Sequence, residues 1–140
     1  MMTIKMDWAG GLKFKGVSTF GHDIMTDAGL ASGGDEAGYK PSELVLFGLA
    51  GCTGMDVIRI LEKQKQDVTA LEVEVTGHHD EKNYPRPFHT VEVKFKVHGN
   101  NIDPAKLSRA IELSEEKYCI VGQTIKNVGK VVTSYEIIPA

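Results

Sequence analysis

The sequence predicts an α+β fold in which antiparallel sheets pack on a long, buried central helix, all within one domain spanning residues 1–140. Three observations carry this reading. Apolar side chains alternate at a two-residue period near the N-terminus and again over 70–79 and 88–98. Between them, residues 44–61 are apolar on nearly every face of a helix. No repeat, linker or low-complexity tract divides the chain.

Taken in order, Ile4, Met6 and Trp8 alternate, Ala9-Gly10-Gly11 turns the chain, and Leu12, Phe14, Gly16 and Ser18 resume the period. His22–Asp27 supplies a third short strand and so a meander. Residues 28–40 hold Gly29, Gly33, Gly34 and Gly38 among Ser32, Asp35 and Glu36, which makes a polar loop without a phosphate-binding pattern, either a flap or a lid. Pro41 suits a first helical turn, and Ser42 and Glu43 place polar groups beside unpaired backbone amides. The helix they open is apolar from Leu44 to Leu61, and Lys63, Lys65 and Gln66 mark its return to solvent. Gly48, Gly51 and Gly54 each cost about 1 kcal/mol relative to alanine, so another backbone is expected to pass close to them. Leu71, Val73 and Val75 then alternate with acidic and polar residues. Val91, Val93, Phe95 and Val97 alternate with Glu92, Lys94 and Lys96, as an antiparallel pair with complementary outer faces should. Asp103-Pro104 reads as an N-cap followed by proline at the first helical position, with Leu107, Ala110, Ile111 and Ser114 as the inner stripe. The pattern shifts at Tyr118-Cys119 into a second short helix, and residues 131–138 close the chain as a strand.

Composition narrows the function. Among 140 residues, sixteen basic side chains stand against nineteen acidic ones, which gives no electrostatic footprint for nucleic acid. The ten aromatic residues are scattered and form no stacking platform for a single strand. No uninterrupted apolar run reaches the roughly 18 residues of a membrane span, and the N-terminus lacks a signal-peptide core. A cytoplasmic protein with two free thiols is therefore expected, with neither nucleic acid nor membrane as partner.

The residues able to carry chemistry are few. Cys52 lies midway along the apolar helix, where taken alone it reads as a small core residue rather than a reactive thiol. Cys119 sits at the start of a helix, an environment that favours thiolate. The two have no Cys-x-x-Cys spacing, and no cysteine or histidine pattern matches a standard metal-ligand motif. His78, His79 and His89 flank one hairpin and read as solvated. Arginine is confined to Arg59, Arg86 and Arg109.

Pro41-Ser42-Glu43-Leu44, continuing through Gly48-Leu49-Ala50-Gly51-Cys52, resembles the central-helix motif of the OsmC/Ohr family of osmotically induced and organic-hydroperoxide-resistance proteins. Leu113 to Cys119 resembles the stretch that carries that family's second cysteine. Asp56-Val57-Ile58-Arg59-Ile60-Leu61-Glu62-Lys63 points to its YhfA-like branch. The resemblance covers essentially the whole chain. It implies an intertwined homodimer with the long helices packed centrally, and an oxidative-stress function as a thiol peroxidase. Cys52 would attack a small hydroperoxide and become a sulfenic acid, Cys119 would resolve it as a disulfide, and a dithiol reductant would restore both thiols. It implies neither a metal nor an organic cofactor.

The family's activating groups are a glutamate ten residues before the reactive cysteine and an arginine in the N-terminal sheet. Here the first position is Ser42, and Glu43 lies nine residues before Cys52, about 180° around the helix and roughly 13 Å along it. Glu43 is thus a candidate catalytic acid only if a partner subunit brings it close. No arginine precedes residue 59, which leaves His22, Ser42 or an acid of the 32–36 loop to replace the missing groups. The alternative is a dimeric redox-sensing or binding module that keeps the scaffold and the cysteines and holds a small apolar ligand without turnover.

Overall fold

Gly10 and Gly11 both take left-handed backbone angles, φ 90° and 58°, and this lets the chain reverse between its first two strands. The computed structural model describes residues 1–82, 84–127 and 132. By its contacts the chain groups into two units, Met1–Gly48 with Val75–Glu92, and Leu49–Glu74 with Val93–Ala140.

The first unit opens on the expected antiparallel meander: β1 (Met6–Trp8), β2 (Phe14–Val17) and β3 (Asp23–Thr26). Trp8 pairs with Phe14, and Phe14 with Thr26. The 28–40 loop is tied down. Buried Asp27 accepts backbone N–H bonds from Ala28 (2.8 Å), Asp35 (3.0 Å) and Ala37 (3.1 Å), and Lys13 pairs with Asp35. Those amides hold the Asp27 carboxyl below its ordinary range, the Ala37 bond foremost. A Cβ on Gly34 would lie 2.0 Å from the Ala28 carbonyl oxygen, so only glycine lets the chain approach this closely. The loop is thereby an ordered strap rather than a free flap.

The long helix α1 (Pro41–Lys63) begins in this unit, where Glu43 accepts the Lys40 N–H at 2.9 Å and Tyr39 meets Phe47 edge-to-face at 5.9 Å. The hairpin end of β4 (Asp67–His79) and β5 (Phe88–Asn100) completes it. His78 is engaged there by Glu92 at 2.7 Å, and Arg86 lies 4.2 Å over the Tyr84 ring.

The second unit holds the core. Leu49, Thr53, Val57 and Leu61, four residues apart on α1, are the buried edge of the helix. Val57 and Leu61 pack with Ala110 and are joined by Val68, Leu71, Phe95, Leu107 and Ile111. Lys96 faces Glu72 across the antiparallel strands at 3.8 Å, the charge complementarity that the alternation predicts. Asp103 caps α2 (Pro104–Leu113) by accepting the Ala105 N–H at 2.9 Å, with Pro104 in the first turn. A wide π-type turn, Ser114–Tyr118, leads into α3 (Ile120–Lys126). The strand expected over 131–138 falls, apart from Val132, outside the described residues.

Among the described residues, one chain buries a stripe of α1 and leaves Val45, Phe47 and Met55 at 45%, 58% and 59% exposure. One expectation changes: among the described residues, no neighbouring backbone approaches Gly51 or Gly54, since a Cβ on Gly51 would meet nothing within 4 Å and one on Gly54 only the Val73 side chain at 3.5 Å. By length and composition α1 would also suffice to cross a membrane. Its Val57 and Leu61, packed on α2 and the strands, are accounted for as protein core.

Candidate functional site: two thiols and a carboxylate

An apolar helix that carries polar residues on its buried edge must find them partners inside the protein. Here those residues are Thr53 and Asp56. Asp56 stands one turn beyond Cys52, so the two side chains share a face of α1. The π-type turn after α2 brings Ser114 and Cys119 to the same place. Ser114, fully buried, donates its hydroxyl to Asp56 Oδ2 at 2.9 Å. Its single proton is thus committed, so in the 2.9 Å contact between Thr53 and Ser114 it is Thr53 that donates. The relay runs from Thr53 to Ser114 to the Asp56 carboxylate and satisfies both buried hydroxyls.

Above it lie the cysteines. Cys52 Sγ, Cys119 Sγ and a carboxylate oxygen of Asp56 all fall within 4.8 Å of one another. Both thiols are free; Cys52 is half-buried and Cys119 only 1% exposed. Cys119 occupies the N-cap position of α3, where its sulfur accepts the Gly122 N–H at 3.2 Å. A Cβ on Gly122 would sit 3.3 Å from that sulfur, tighter than most side chains tolerate.

The helix start does not make Cys119 a ready thiolate. Burial pushes its thiol up to about 11, helped by the hydrogen bond with Cys52 and the nearby negative charge of Asp56. The single Gly122 N–H, which pulls the other way, is outweighed.

The remaining sequence candidates make contacts of their own or stand exposed. Glu43 holds the Lys40 amide, and Ser42 is exposed. Exposed His22 binds the Ser18 hydroxyl through its own backbone N–H. Asp35 pairs with Lys13, and Glu36 accepts the Leu30 N–H at 3.3 Å. Arg109 pairs with Glu112 at 3.2 Å, and Arg59 is exposed. Among the described residues, no arginine is hydrogen-bonded to either cysteine or to Asp56. Sequence reasoning found the thiols but missed Asp56, Thr53 and Ser114 as their neighbours. The available signal was Thr53 and Asp56 as polar interruptions in an otherwise apolar helix.

Comparison with known proteins identifies the family. The family model described as OsmC-like protein matches residues 33–134. Protein YhfA of Escherichia coli K12 is 37% identical over 139 residues, which is 99% of this chain and 100% of that protein. The crystal structure of a hypothetical protein from Aquifex aeolicus VF5 superposes with a TM-score of 0.77 at 27% identity, covering 90% of this chain and 87% of that one. The organic hydroperoxide resistance protein OhrB of Bacillus subtilis shares the fold, with a TM-score of 0.56 at 22% identity over 90% of this chain and 93% of that one. With one family model matching most of its length and one relative matching nearly all of it, the chain belongs to the OsmC-like family.

Proposed function

We propose that the protein is a thiol-based redox protein that reduces small organic hydroperoxides through Cys52 and Cys119. The observation that carries this reading is the side-by-side placement of two free thiols contributed by separate elements, α1 and the start of α3. Half-buried Cys52 is the one that a small substrate reaches, so it is the nucleophile; buried Cys119 is the resolving thiol. The Cys52 thiolate attacks the outer peroxide oxygen, the O–O bond breaks, and the alkoxide leaves and is protonated to an alcohol. Cys52 is now a sulfenic acid. Cys119 attacks its sulfur, the S–O bond breaks, and water departs with the thiol proton as the disulfide forms. A dithiol reductant returns both thiols by exchange and is itself oxidised to a disulfide. A reducing cytoplasm suits such a cycle.

A homodimer completes the reading. Exposed Val45, Phe47 and Met55 on α1 are apolar surface that a second copy would cover, and that copy is the source from which Glu43 would approach a thiol. One observation favours a redox-sensing variant of this function. Burial above all, with the neighbouring Cys52 thiol and the Asp56 charge adding to it, disfavours the Cys119 thiolate, which suits slow, stoichiometric oxidation better than rapid turnover.

Stoichiometric cumene hydroperoxide added to reduced protein tests both. Loss of two titratable thiols and gain of an intramolecular Cys52–Cys119 disulfide by mass is the expected result, and two thiols still titrating would overturn it. Cys52→Ser should abolish peroxide consumption, whereas Cys119→Ser should leave a sulfenic acid that a dimedone probe captures. Repeated turnover with a dithiol separates the enzyme from the sensor.

A further inference from the structure

The charge pattern of the thiol site is the reverse of what a naked thiolate needs. Ionisation of Cys52 and Cys119 would place two further negative charges within 4.8 Å of the Asp56 carboxylate. Among the described residues, no lysine, arginine or histidine lies within ion-pair distance of Asp56. What neutralises such a group most directly is a divalent cation.

We propose that the reduced protein binds one thiophilic divalent cation of the zinc class through Cys52 Sγ, Cys119 Sγ and an Asp56 carboxylate oxygen. Two sulfurs and one oxygen form a donor set suited to zinc, with solvent as a fourth ligand on the side where Cys52 is half-exposed. In tetrahedral coordination two thiolates about 2.3 Å from the metal stand about 3.8 Å apart. The sulfur pair therefore needs to contract by about 1 Å at most, and each sulfur–oxygen pair, about 3.5 Å apart in such a site, by about 1.3 Å at most.

The surroundings of these ligands are those of a built site. Outer hydrogen bonds orient metal ligands and tune their basicity, and two of the three ligands already have them. Ser114, itself held by Thr53, fixes Asp56 Oδ2 at 2.9 Å. The Gly122 N–H reaches Cys119 Sγ at 3.2 Å, an interaction that stabilises a metal-bound thiolate, and Gly122 has no side chain to obstruct it. Binding is balanced by proton release: two S–H bonds break, two metal–sulfur bonds form, and two protons go to solvent. The same two sulfurs cannot hold the cation and form a disulfide, so oxidation would expel it. The inference shares the thiol pair with the hydroperoxide reading but does not depend on it.

Anaerobic titration of the full-length reduced protein with Cd²⁺ tests the site in the absence of any peroxide. A thiolate-to-cadmium absorption band should rise to an endpoint of one ion per chain, with two protons released and with Zn²⁺ displacing the Cd²⁺. Ser114→Ala should weaken binding about 10–100-fold, Asp56→Asn should weaken it more, and Cys119→Ser should abolish the band. A band and affinity unchanged in Asp56→Asn would overturn the assignment of the carboxylate. Alkylation mass spectrometry on the unaltered protein gives a second readout independent of variant folding. Saturating Cd²⁺ should protect both cysteines from iodoacetamide, and modification at the metal-free rate would overturn the site. Neither result bears on peroxide consumption, so failure of one reading leaves the other standing.

Discussion

Ser114 is where the local energetics concentrate. It is fully buried and serves both Thr53 and Asp56, so Ser114→Ala leaves a buried hydroxyl and a carboxylate each short of a partner. The expected loss is about 1–3 kcal/mol, read as a lower denaturant midpoint with an unchanged m-value. Cys119 gives a pH-dependent counterpart. Its thiol titrates at about 11 in the fold against 9.0 for an ordinary cysteine, so the folded state holds this proton more tightly. The associated stabilisation is complete below pH 9.0 and is lost as pH rises through about 11. Reduced protein should accordingly lose stability over that interval, and Cys119→Ala should flatten the slope. The two sulfurs were legible in the sequence because cysteine is rare in the chain. Their shared environment was not, since it depends on Asp56 and Ser114 meeting across 58 residues of chain.

Among the elements, the strands and helix starts were the most legible. Alternation over 70–79 and 88–98 and the Asp103-Pro104 cap depend on local chemistry, which a sequence states directly. The 28–40 loop was less so, because its order comes from Asp27, a residue just before it, whose carboxylate accepts three amides. Asp27→Asn should loosen the segment, seen as faster amide exchange at Asp35 and Ala37 with the meander amides little changed. Since this carboxyl is held below its ordinary range, its contribution is present at neutral pH and is lost as pH falls through its depressed value. The same exchange should therefore speed up in acid in the unaltered protein and lose that dependence in Asp27→Asn.

At the scale of the whole molecule, the exposed apolar side chains of α1 are what the proposed homodimer rests on. The apolar circumference of that helix was legible, but which part a single chain covers was not, because that depends on where the strands and α2 run out. Met55→Glu alters a side chain that is 59% exposed in one chain, so the fold of that chain should tolerate it. Light scattering should give a dimer for the unaltered protein and half that mass for the variant. The unfolding midpoint should rise with protein concentration only in the former. The grouping of residues into two units has a last consequence, for protein engineering. A boundary that separates domains normally lies in an exposed linker crossed by few contacts. Here it falls between Gly48 and Leu49 inside a helix, and inside both long strands at Glu74–Val75 and Glu92–Val93. Neither unit, as its contacts define it, can be excised without cutting all three elements mid-length, so a fragment meant to isolate the thiol site is better bounded at the ends of α1, β4 and β5 than at these divisions.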